Sequence, residues 1–409
     1  MTDNNTHTAV WKKPAMAFFI GLIIFGLVAF VYEATGKHPE KAWQVYLINF
    51  MIFSGIAQGG LLFSTIMHTT GARWSGPLAN LSEAFASFFP VSFVLLLLML
   101  LGQHHVFPWT HHDLHGKEVW LNVPFLMTRN AIGLLVLYGI GFAYIFHALW
   151  LKQSGPAPKN GFRLWLSGLW ETAIRDEAQC RSRMNVLAVL YMLAFALVLS
   201  LLGFDLIMAV DPHWYSTLFG AYTFVKAMYV GLGALIILAS ILHLLPNTGY
   251  SLKEKQFHDI GKLYFAFCLL WADFFYCQLV VIWYGNIAEE TVFVIERTMN
   301  QPWQGMAWGV FIAGFIAPFL ILLNRKVKTI PGFMIVMCSV TVTALWFEHY
   351  LLTGPAFYHH ADRLPLNMVD LIISLGFLGL MGAAVTGALN LFPELVRLAP
   401  PVTPDEEVA

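Results

Sequence analysis

Ten long, mostly apolar stretches divide this chain, and the segments between them are more polar. A helix needs about 20 predominantly apolar residues to cross a bilayer. Five such stretches fall at roughly Pro14–Tyr32, Trp43–His68, Ala84–Gln103, Arg129–Leu151 and Met184–Phe204. Five more fall at Thr217–Leu245, His258–Trp283, Trp303–Leu323, Pro331–Leu352 and Asn367–Leu391. The pattern predicts an all-α polytopic membrane protein, with a single ten-helix membrane domain over residues 14–391. The tails 1–13 and 392–409 are expected in the cytoplasm. Gly-rich runs such as Gly55-Ile56-Ala57-Gln58-Gly59-Gly60 suit close helix packing.

Composition supports that reading and narrows it. Only 11% of the 409 residues are charged and 58% are hydrophobic, whereas a soluble domain carries roughly 25% charged residues. The net charge of -1 leaves no basic face for nucleic acid. Lys12-Lys13 precede the first apolar run, and Tyr32-Glu33 rather than small residues end it. That run is expected to stay as a helix and not to be cleaved as a signal peptide. Cys180, Cys268, Cys277 and Cys338 form no Cys-x-x-Cys or Cys-x-x-Cys-His. Iron–sulfur ligation and c-type haem attachment within the chain are therefore not expected.

Orientation follows from the Lys and Arg bias. Lys12, Lys13, Arg73, Lys152, Lys159, Arg163, Arg175, Arg181, Arg183, Lys253, Lys255, Arg325, Lys326, Lys328 and Arg397 share one side. Lys37, Lys41, Lys117, Arg297 and Arg363 share the other. Both termini are thus expected in the cytoplasm, which an even number of spans allows. The segment Lys152–Arg183, with Trp165 and Trp170, reads as an amphipathic helix at the interface. Trp109, Trp120, Trp214, Trp283-Tyr284 and Trp303 fit an aromatic belt on the outer side.

A weak internal repeat is visible. The second and sixth stretches end at His68 and His243. The third and seventh end near Pro108-Trp109 and Trp283-Tyr284, and Arg129-Asn130 and Arg297-Thr298 follow. Two similar four-helix bundles, helices 2–5 and 6–9, with helices 1 and 10 flanking, would explain this.

Acids and bases inside apolar helices are the candidates for chemistry, because a charge at mid-membrane costs about 2.5–3.5 kcal/mol. Counting about 1.5 Å per residue, Asp273 lies about 4 Å and Lys226 about 7 Å outward of the midplane. Their helices are consecutive and antiparallel, so the two could pair. Glu348 and His349 sit about 10 Å out. Asp205 and Asp370 are read near the outer rim, as solvated helix ends. On the inner half the candidates are milder: Tyr264, Ser240, Ser339, Thr341 and Thr343. Two readings stand side by side: a proton path and a structural ion pair that fixes helix packing. The first bundle looks poorer, with Gln58 near its midplane and no carboxylate or Lys beside it.

His68, His147 and His243 lie toward inner helix ends, and no helix carries the two facing His of a diheme arrangement. His104, His105, His111, His112 and His115, with Asp113 close by, read as a hydrated loop, as does His359-His360.

Several motifs resemble the NrfD/polysulfide-reductase type of quinone-linked membrane subunits. They are Asn49-Phe50 with the Gly-rich run at 55–60, Thr70-Gly71-Ala72-Arg73-Trp74, and Asp211-Pro212-His213-Trp214-Tyr215-Ser216-Thr217-Leu218-Phe219-Gly220. Ile282-Trp283-Tyr284-Gly285-Asn286, followed by Glu289-Glu290-Thr291, is another. Within that family the chain is similar to the ActF-type subunit of alternative complex III. The resemblance implies two four-helix bundles plus flanking helices in a bacterial inner membrane. It implies a complex that oxidises quinol and passes electrons through iron–sulfur and haem c subunits to cytochrome c or an oxidase. Partners would be a paralogous NrfD-like subunit, an iron–sulfur subunit and cytochromes c. The chain itself would hold no redox centre. The ActF type is regarded as lacking the working quinol site and as carrying a proton path.

The leading expectation is therefore a non-redox membrane subunit of a quinol-oxidising respiratory complex. Its proton path candidates are Asp273, Lys226, Glu348, His349, Tyr264 and Asp205. A quinol-binding membrane subunit of a molybdopterin-type oxidoreductase is the alternative, with a pocket around Arg129, Asp205 or His213. An autonomous secondary transporter is a third reading.

Overall fold

A computed structural model describes residues 12–111, 114, 116–153, 161–246, 248–358 and 363–396. His112, Asp113, His115, Lys159, His359, His360, Arg397 and most of both tails lie outside the described residues. Ten helices are long and apolar enough to cross a membrane. Spans 1 to 5 are Lys13–Ala34, Pro39–Thr69, Arg73–Val106, Val123–Leu151 and Glu177–Val210. Spans 6 to 10 are Phe219–Leu244, Glu254–Gly285, Trp303–Leu322, Pro331–Phe357 and Met368–Leu391. Every expected apolar stretch has its helix. Several helices run past the apolar run itself, because their polar ends reach beyond the hydrocarbon. Below, the end where span 1 starts is the terminal side and the end where it finishes is the far side.

Span 2 is the axis of the molecule. It is apolar around most of its circumference, as a helix buried on all faces should be. Every residue from Lys41 to Thr65 is buried. Spans 3 and 5 pack on span 2, and span 4 packs on spans 3 and 5. Span 6 holds the same place among spans 7, 8 and 9: it packs on 7 and 9, and 8 packs on both of those. Spans 2 and 6 also cross each other, and spans 1 and 10 form a pair against spans 2 and 3.

Small residues make the crossing of spans 2 and 6 possible. A Cβ added at Gly59 would lie 2.3 Å from the Ala227 carbonyl oxygen, and one at Gly231 would lie 2.7 Å from the Gly59 carbonyl carbon. Both obstacles are backbone, so no rotamer change relieves them. We expect Gly59→Ala to cost about 1–3 kcal/mol by overpacking, read as a lower thermal midpoint of the purified protein. Gly139→Ala, which meets nothing within 4 Å, is the control and should leave the midpoint unchanged or higher. Equal midpoints for the two variants would mean that the crossing is loose.

Several irregular turns break the spans, including a π turn at Ile312–Ile316 in span 8, and two of the breaks hold buried carboxylates. Span 5 widens into a π-helical turn at Gly203–Ile207 before a last 3-10 turn at Met208–Val210. Span 3 opens with a 3-10 turn, Arg73–Ser75, followed by a seven-residue α-helix, Gly76–Ser82, and a 3-10 stretch, Glu83–Phe88. The π turn in span 5 contains Asp205 and the 3-10 stretch begins at Glu83, and both carboxylates are buried. The expected amphipathic segment forms a helix at Gly161–Ala173 with Phe162, Leu164 and Trp165 exposed. Its Trp170 is buried and donates its indole N–H to the Phe146 carbonyl at 2.9 Å.

Candidate functional site

Span 6 brings Tyr222 and Lys226 to one face, since residues four apart stack on a helix. Glu348 of span 9 meets them there. The Lys226 ammonium lies 3.0 Å from Glu348 Oε2 and donates to Oε1 at 3.2 Å. The Tyr222 hydroxyl donates to Oε1 as well. Both charged residues are buried, 3% and 4% exposed. Lys226 lies about 10 Å along span 6 from its far-side end, and Glu348 about 14 Å from the far-side end of span 9. The pairing of Lys226 with Asp273 that the helix order allowed does not occur. Asp273 is exposed on span 7, and its carboxylate meets the Cys277 thiol at 3.9 Å instead. Depth alone allowed the pairing; rotation about the span 7 axis turns Asp273 outward.

The ion pair stands between two cavities. On the far side of the second bundle, a cavity of about 100 Å³ is lined by Tyr222 and Glu348 together with Trp271, Phe275, Phe293 and Arg297. Its walls are aromatic ladders. Trp271 stacks between Tyr222 and Phe275, at 6.4 and 6.3 Å. Trp214 stacks on Phe293 at 3.8 Å, and the Arg297 guanidinium lies 3.4 Å from the Phe293 ring centre. Arg297 donates to the Leu352 and Phe293 carbonyls and pairs with Asp211 at 3.4 Å. Burial pulls its guanidinium down to about 10, while Asp211 opposes that shift. It therefore stays charged at neutral pH.

On the other side of the pair lies a cavity of about 20 Å³ between the bundles, lined by Lys226, His349, Gln58, Ser54 and Thr223. That is room for about one water, which needs two to four polar partners. His349 is buried, with Nδ1 2.9 Å from the Leu345 carbonyl. Gln58 Nε2 donates to the Tyr138 hydroxyl at 2.9 Å, which is hydrogen-bonded to the Ser92 hydroxyl at 2.7 Å, and Ser92 to Ser54 at 2.6 Å. The first bundle is richer than its sequence suggested. On its terminal side Glu83 is buried, 2.6 Å from the Lys152 ammonium, and accepts from Ser64. The Tyr144 hydroxyl is 3.1 Å from Ser64 Oγ. The signal in the sequence was an acid heading one apolar run and a lysine ending another. Glu83 heads a 3-10 stretch and is buried there, which the sequence did not reveal.

The remaining candidates fall elsewhere. Tyr264 is fully buried in the second bundle, its ring 4.8 Å from that of Tyr229. Asp205 and Asp370 are not solvated helix ends. Asp205 is 0% exposed and takes a bidentate pair from Arg129, at 2.6 and 2.7 Å, plus bonds from Asn130 and Trp120. Span 5 continues past it through the π turn, so Asp205 lies inside a helix. Asp370 is 1% exposed, closes a capping box with Asn367, and lies 3.3 Å from Lys41. The repeat places Arg129 and Arg297 at corresponding ends of the two bundles, each beside an Asp and an aromatic ring.

No family model matches this chain. It is similar to a candidate membrane subunit of a dimethyl sulfoxide reductase from Halobacterium salinarum, with 25% identity over 255 residues. That match covers 59% of this chain and 54% of the relative, so the chain spans about half of that relative's length.

Proposed function

We propose that this chain is an integral membrane subunit of a quinol-oxidising respiratory complex of the alternative complex III type. It carries no redox centre of its own and moves protons. The observation that carries the reading is the Lys226–Glu348 pair, set between an aromatic cavity and a small polar one. A buried pair of this kind is rarely needed for stability alone, since desolvation offsets much of its Coulomb energy. Adding a proton to Glu348 strips Lys226 of its counter-charge and favours passing a proton onward. His349 and the small cavity beside Gln58 stand next in line. The likeness to the halobacterial protein supports a membrane subunit of an oxidoreductase. Iron–sulfur and haem c centres would sit in partner subunits, which would take the electrons.

A second reading, a quinol-binding membrane subunit of a molybdopterin-type oxidoreductase, is favoured by the aromatic cavity. Its ring-lined walls and opposed polar groups, Arg297 and Glu348, suit a flat headgroup with an oxygen at each end.

Two experiments separate the readings. The tagged chain, purified from its native membranes, should bring iron–sulfur and haem c polypeptides and quinol:cytochrome c reductase activity. A chain that purifies alone and takes up solute in liposomes would overturn both readings in favour of a transporter. An azidoquinone that labels peptides containing Trp271–Ile282 or Phe293–Arg297 would establish the second reading over the first.

A further inference from the structure

Span 7 carries an exposed stripe that its own bundle does not use. Lys262, Ala266, Leu269, Asp273, Tyr276 and Trp283 are all exposed. They lie along one face, mostly three or four residues apart, the spacing of a helix–helix seam. Lys262 is held by Asp259 at 2.7 Å near the terminal side. Trp283 and Tyr284, 75% and 87% exposed, mark the far-side interface, where such rings settle. Asp273 is eleven residues from Lys262 and eleven from Tyr284, about 16 Å from each. It is therefore at mid-membrane, facing out. Ionised or protonated, a carboxyl there is costly in lipid and normally faces protein or water. Among the described residues it meets one weak donor, the Cys277 thiol.

We propose that the Asp273 face of span 7 is a contact surface for a transmembrane helix of another subunit, and that this helix supplies a cationic or amide donor to the Asp273 carboxyl. The Tyr276 hydroxyl, one turn farther along, offers a second polar contact to the same helix. The inference rests on the multi-subunit reading above and adds where the partner sits.

A photoreactive benzoylphenylalanine at position 269 or 276, in the complex in its native membranes, tests it. Position 197, on the exposed face of span 5, is the control. Illumination should join positions 269 and 276, and not 197, to a different membrane polypeptide. Asp273→Leu should lower retention of that polypeptide in detergent about three- to tenfold, the worth of one interhelical hydrogen bond. Asp273→Asn, which keeps an acceptor, should recover most of it. Adducts only with lipid or with a second copy of this chain would overturn the proposal. If another subunit still copurifies in that case, the contact surface falls and the complex reading stands. If nothing copurifies, both fall.

Discussion

Replacing Glu348 by Gln is expected to uncouple proton movement from electron transfer. In liposomes containing the whole complex, protons moved per quinol should fall severalfold, while quinol:cytochrome c reduction falls less. The reasoning is local. Gln keeps the shape and the acceptor for Tyr222, but it cannot take up a proton. It also leaves the Lys226 ammonium, 3% exposed, without its counter-ion. Breaking a buried pair from one side costs about 3–5 kcal/mol. Some loss of assembled complex is therefore expected from E348Q, and equally from Lys226→Met.

The double variant Lys226→Met/Glu348→Gln separates stability from function. Removing both charges of a buried pair is often neutral for stability. We expect the doubly neutral protein to assemble at a level near wild type and still to move few protons. Full translocation in the double variant would sink the relay and leave the pair as a helix clamp between spans 6 and 9. The same outcome would show the adjoining cavities to be packing gaps.

How much of this was legible beforehand differs by feature. The ten spans follow from length and hydropathy, because the bilayer sets both. The two bundles followed from repeated landmarks such as His68 and His243, and spans 2 and 6 do hold corresponding places. Depth could be counted, so Lys226 and Glu348 were recognisable as buried candidates. Rotation about each helix axis could not be counted. A span that is apolar on every face gives no periodic signal for which side turns inward, and Asp273 was misplaced for that reason. Irregular turns were equally silent. The π turn at Gly203–Ile207 and the 3-10 stretch at Glu83–Phe88 hold the buried Asp205 and Glu83, yet neither has a composition that marks it.

At the far-side end of the first bundle, Arg129→Met is expected to destabilise the protein more than Asp205→Asn does. Asp205 is fully buried and accepts four hydrogen bonds, from Arg129 twice, Asn130 and Trp120. Without Arg129 its carboxylate keeps only the two neutral donors, so the loss should be about 3–5 kcal/mol. Asp205→Asn leaves Arg129 better provided. The guanidinium still donates to the Trp120 carbonyl at 2.9 Å and lies over the Trp120 and Phe125 rings at 3.9 and 4.7 Å. Its side chain also reaches solvent, at 10% exposed, so the loss should be nearer 1–3 kcal/mol. The cluster ties the loop before span 4 to span 5, and Lys117 extends the tie to the Pro212 carbonyl at 2.5 Å. Arg129→Met should therefore also open that loop to protease at Lys117, while Asp205→Asn leaves it closed. Thermal midpoints of the detergent-purified protein and limited trypsin digestion measure the two effects. A larger loss from Asp205→Asn than from Arg129→Met would mean that the guanidinium, and not the carboxylate, is the group that cannot be left alone.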